Sequence, residues 1–113
     1  MPVALPGMPW SLSFEGVRMA DTDKGFYDRA DAHGQLSNDQ ITDEASMGKV
    51  SASNMYATAR FNAWVSACGW NSGEEMANAK EETIEYFITE YRKMLDENLD
   101  DYIDNFNTYM GKE

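Results

Sequence analysis

From Asp23 onward the apolar positions of this chain recur every three or four residues, and no strand-like alternation survives anywhere. That period predicts an all-α fold, a small bundle of three to four helices. In the first pattern Phe26, Tyr27, Ala30, His33 and Leu36 share one face, with Asp23 placed to cap it. Gly34 weakens this helix, since glycine in a helix interior costs about 1 kcal/mol relative to alanine. Turn formers between Ser37 and Gly48 put the first connection near residues 42–48.

The second pattern runs from about Lys49 to Cys68. Val50, Ser53, Ala57, Arg60, Trp64 and Ala67 form one row, which Tyr56, Ala59, Ala63 and Val65 broaden. Residues 48–70 hold five alanines, four aromatics, two bases and no acid. So little charge is expected of a central helix shielded on most faces by the others. Gly69 is placed to end it in the left-handed conformation. Ser72 followed by Glu75 has the spacing of a capping box, the strongest local signal in the chain.

The third pattern extends from Glu74 almost to Gly111, through Ile84, Phe87, Ile88, Tyr91, Met94, Leu95, Leu99, Tyr102, Ile103, Phe106, Tyr109 and Met110. A single helix of that length would reach about 55 Å at 1.5 Å per residue, too long for so small a domain. Either it projects and pairs with a second copy, or it breaks. Asp96, Glu97, Asp100, Asp101 and Asp104 form an acidic run that opposes the dipole of one continuous helix. With Asp96 or Asn98 as a new cap, most of them become favourable. The charges therefore favour a break near residues 96–98.

All three prolines lie within residues 2–9, and residues 1–18 show no period and no caps. They read as an irregular arm, and the segment lacks the basic start and unbroken apolar core of a signal peptide. Met19, just before the first helix, is the expected natural initiator, with residues 1–18 as translated upstream sequence. The competing reading is an arm that docks through Trp10, Leu12 and Phe14. Residues 19–113 then form one helical domain.

Composition narrows the function classes. The chain has 113 residues, 42% of them hydrophobic, enough for one small domain with a modest core. Twenty acids against nine bases give a net charge of −11, which disfavours nucleic acid and anionic membrane surfaces as direct partners. No apolar run approaches the length of a transmembrane helix. A single cysteine, Cys68, excludes an intramolecular disulfide and fits a reducing, cytoplasmic setting.

The runs FYDRADAH, GKVSASNMYATARFNAWVSA and EETIEYFITEYRKMLDENLDDYIDNF resemble a small bacterial family, domain of unknown function 3144, found mainly in proteobacteria. The resemblance covers roughly residues 25–110. It implies a start close to the first helix, as at Met19, and supplies no activity, cofactor or catalytic residue. Gly34 departs from it, where an apolar residue is expected after the histidine.

Candidate chemistry is sparse, and enzymatic activity is not expected. His33 stands alone, whereas a di-iron bundle site needs two Glu-x-x-His motifs. Cys68 lies at a helix C-terminus, the wrong end for a thiolate. Glu81, Glu82, Glu85 and Glu90 read as a solvated face without the shaped loop that hard cations need. Arg60 lies among apolar residues and needs a carboxylate, so Asp28 or Asp31 is expected as its ion-pair partner. No cofactor or metal is expected.

The long apolar surface of the last pattern instead suggests an interaction or assembly module that self-associates or binds another protein, with Tyr91, Leu95, Leu99, Tyr102, Phe106 and Tyr109 as interface candidates. The rival is a small-molecule or metal-binding protein with a pocket near His33, Arg60 and Tyr56. A third reading is an acidic mimic that occupies a basic partner.

Overall fold

The structure, a computed structural model, describes residues 23–112. The expected arm, its Trp10, Leu12 and Phe14, and the start at Met19 lie outside the described residues. Among the described residues the fold is all-α: α1 Phe26–Gln40, α2 Met47–Cys68, α3 Gly73–Asn78, α4 Lys80–Asp104 and α5 Phe106–Tyr109. The described residues divide into two compact units, the first ending at Met76 and the second beginning at Ala77.

In the first unit α1 begins one residue after Gly25, its cap, and no side chain caps it. Asp23 is therefore not the cap that its position suggested. Its carbonyl accepts from the Phe26 amide at 3.1 Å, while its carboxylate turns to Arg29 at 2.9 Å. The helix continues through Gly34 to Gln40, since the cost of about 1 kcal/mol for one interior glycine weakens a helix without ending it.

The connection to α2 spans residues 41–46 and is closed by Thr42, whose hydroxyl accepts from the amides of Glu44 and Ala45, both at 3.2 Å. This is the local side-chain turn that Thr adopts readily. Ser46 then caps α2, accepting from the Lys49 amide at 3.3 Å. Asn54 of α2 reaches across to α1 and donates to the Ser37 hydroxyl at 2.6 Å.

Only Val50 and Ser66 of α2 are buried, so the expectation of a helix shielded on most faces is not met. Met55, Tyr56 and Phe61 are all exposed. A low charge density marks a surface suited to being covered, but it does not identify the cover. Gly69 also departs from expectation: it ends α2 at φ −90°, right-handed, with its amide bonded to Ser66 and Ala67 carbonyls.

The Ser72 half of the capping box forms as its spacing predicts, while the Glu75 carboxylate reaches one residue further back than the cap. Ser72 accepts from the Glu75 amide at 3.1 Å, and the Glu75 carboxylate reaches back to the Asn71 amide at 2.9 Å. The first bond satisfies a donor that the first turn leaves open, and the second holds the amide of the residue just before the cap.

In the second unit α4 runs unbroken for 25 residues, straight through residues 96–98. The break favoured there by the charges does not occur. Asn98 stays inside the helix and donates its side-chain amide to the Met94 carbonyl at 2.7 Å. The acids of the run are all exposed, and in water each like-charge i,i+4 pair costs only about 0.2–0.5 kcal/mol. That is too little to outweigh the helical hydrogen bonds a break would lose.

The discontinuities fall elsewhere. Ala79, at φ −101° and ψ 7°, separates α3 from α4, and its carbonyl accepts from both the amide and the hydroxyl of Thr83. Asn105, at φ −118° and ψ 26°, separates α4 from α5. Its side chain donates to both the carbonyl and the carboxylate of Asp101, competing with the regular ladder. Helical bonds resume with Tyr109 to Asn105 and Met110 to Phe106, and the Tyr102 and Tyr109 rings meet across the irregularity.

Candidate functional site

The most prominent feature of the second unit is an apolar stripe along α4 and α5. Ile84, Ile88, Tyr91 and Leu95 begin it, and Leu99, Tyr102, Phe106 and Met110 complete it. Each of the eight is between 40% and 57% exposed. Large apolar side chains left open singly are ordinary, whereas here eight recur along one helical stretch.

The row has a fixed arithmetic. Ile84, Leu95 and Phe106 are eleven residues apart, as are Ile88, Leu99 and Met110, and likewise Tyr91 and Tyr102. Eleven residues make three turns of 3.67 residues, close to the natural pitch of an α-helix, so the row stays on one face with little drift. All six residues expected from the sequence at an interface, Tyr91, Leu95, Leu99, Tyr102, Phe106 and Tyr109, lie on this face or at its C-terminal end. Ile84, Ile88 and Met110 extend it, and the eleven-residue repeat is the sequence signal that identifies them.

At the C-terminal end the stripe is tied together by its own side chains. The Tyr102 and Tyr109 rings meet edge to face with centroids 5.0 Å apart. The Tyr109 hydroxyl donates to Asp101, which raises its pKa above the usual 10, first through that hydrogen bond and then through the carboxylate's charge. Along the helix the exposed acids include Asp96, Glu97, Asp100, Asp101 and Asp104, while Lys93 pairs with Glu90 at 3.1 Å.

In the first unit the other candidates are scattered. Asp28, Asp31 and His33 are exposed on α1. Arg60 is exposed on α2, with its guanidinium 4.9 Å from the centre of the Tyr56 ring one turn earlier. Among the described residues Arg60 forms no ion pair with Asp28 or Asp31; the cation on α1, Arg29, pairs with Asp23. The ring of Tyr56 thus faces the guanidinium where a carboxylate was expected. Cys68 is half-buried at the end of α2 and free. Among the described residues no three histidine, cysteine or acidic side chains converge as a metal site, and no helix is long and apolar enough to cross a membrane.

With this geometry in view, comparison with known proteins gives the following. Residues 26–103 match the model of a family described as a protein of unknown function (DUF3144), and the chain belongs to that family. Its fold is similar to the NMR structure of the protein NB7890A from a Shewanella species, with 39% sequence identity and a TM-score of 0.65, over 80% of this chain and 96% of that one. No curated protein matches.

Proposed function

We propose that this member of the family is an interaction module that self-associates through the apolar face of α4 and α5. The observation that carries the reading is the row from Ile84 to Met110, eight large side chains each at least 40% exposed on one face. Covering their exposed parts would remove about 800 Å² per copy from water, which is the contribution of one partner to a standard protein–protein interface. Tyrosine, phenylalanine and methionine, which make up half of the row, are the residue types enriched at such contacts.

The net charge of −11 supports a protein partner over nucleic acid or an anionic lipid surface, and the single cysteine supports a reducing cytoplasm. Native mass spectrometry and sedimentation of the full chain test the reading. A dimer at micromolar concentration is expected, and Leu99→Glu, which places a charge in the middle of the row, shifts it to monomer with its helix content retained. A wild-type chain that stays monomeric at all concentrations overturns the proposal.

A further inference from the structure

We infer that two copies meet along α4 in an eleven-residue register, with Leu99 in the contact and Asn98 outside it; this rests on the self-association proposed above and adds its packing. Three intervals of eleven lie wholly inside α4: Ile84 to Leu95, Ile88 to Leu99 and Tyr91 to Tyr102. A seven-residue repeat started at Ile84 passes through the same Ile88, Tyr91, Leu95 and Tyr102. The two registers part at three places: Asn98 against Leu99, Asn105 against Phe106, and Tyr109 against Met110. At the first two, the eleven-residue register takes a large apolar side chain where the heptad takes an asparagine. The third pair, both large, favours neither.

Both asparagines are already engaged. Asn98 donates its side-chain amide to the Met94 carbonyl at 2.7 Å, and Asn105 donates to the Asp101 carbonyl at 3.0 Å, each four residues back along its own chain. An asparagine inside a heptad contact is tolerated for the register it specifies, at a cost in stability. Here the heptad contact would take two asparagines per copy out of water, with their amide nitrogens turned to their own helix and their remaining polar atoms desolvated. The eleven-residue register leaves both in water and covers Leu99 instead. Because α4 passes without a break through residues 96–98, the step of four from Leu95 to Leu99 belongs to one continuous helix.

The repeat also sets the twist. A seven-residue stripe, at about 3.5 residues per turn, winds two helices to the left, whereas an eleven-residue stripe, at about 3.67, asks for a slight right-handed coil. That twist is the same whichever way the second copy runs, since it depends on the stripe each helix carries.

The experiment uses full-length chains carrying Cys68→Ser and one further change, Leu95→Cys, Asn98→Cys or Leu99→Cys. Each is labelled with a maleimide, once associated and once diluted to monomer. Leu95 belongs to both registers and is the control. Association should slow labelling at positions 95 and 99 several-fold and leave position 98 unchanged. In a second arm the exchange of Asn98→Leu with Leu99→Asn keeps the composition and moves the leucine to the heptad position, and circular dichroism checks its helix content. Sedimentation should find the exchanged chain monomeric where the wild type is a dimer. Protection at 98 equal to or above that at 99, or an exchanged chain that associates as well as the wild type, overturns the register while the dimer stands. A dimer by native mass spectrometry with protection at none of the three positions overturns the choice of face as well. A monomeric wild-type chain overturns the self-association itself.

Discussion

The Tyr109 hydroxyl donates to the carboxylate of Asp101, eight residues earlier, at 3.1 Å from one oxygen and 3.3 Å from the other. This contact bridges the irregularity at Asn105 and ties α5 back onto the end of α4. It joins residues two turns apart, beyond the i,i+4 neighbours that helical spacing reveals.

That bond gives the chain an alkaline dependence of known sign. The Tyr109 phenol titrates above 10 in the folded state and near 10 in the unfolded chain. The folded state thus holds the proton longer, and the contribution is whole below pH 10 and lost as pH climbs through the folded value. Asp101→Asn should bring the Tyr109 phenolate absorbance transition to lower pH and leave the other tyrosines unmoved. Identical transitions in the variant and the wild type would remove the bond from solution.

Ser72→Ala should destabilise the chain by about 1 kcal/mol, the usual worth of a helix cap. Glu75→Ala should cost a similar amount, and the double variant less than the sum, since each side chain fixes the other's turn. Urea denaturation of the four chains measures this. Strict additivity would mean that the two bonds are independent.

Gly34→Ala should stabilise α1, because a Cβ there meets nothing and the backbone is already helical. The gain is up to about 1 kcal/mol, read as a rise of a few degrees in the melting temperature. A fall would show that an unseen neighbour occupies the space beside Gly34.

Ser66 is 1% exposed, and its hydroxyl finds no hydrogen-bond partner among the described residues. Removing an unsatisfied buried hydroxyl is favourable, and alanine is the better helix former. Ser66→Ala should therefore be neutral or stabilising by up to about 1 kcal/mol in chemical denaturation, whereas Ser66→Leu should destabilise by about 1–3 kcal/mol through overpacking. A clear loss with alanine would show that the hydroxyl is bonded after all.

Features that depend on neighbours within one turn, or on a strict period, were legible in the order of the residues alone. The three long helices follow from three-to-four spacing, the capping box from Ser72 and Glu75, and the apolar row of α4 from residues three, four and eleven apart. Tertiary structure decided what competes with such signals or lies outside their range. It carried α4 through residues 96–98, because exposed like charges are too weak in water to break a hydrogen-bonded ladder, and it moved the irregularities to Ala79 and Asn105. It paired Arg29 with Asp23 and laid Arg60 on Tyr56, since a cation's partner is set by distance in space. It left most of α2 exposed where the composition suggested cover, because an apolar period specifies that a face can be buried and carries no information about what lies against it.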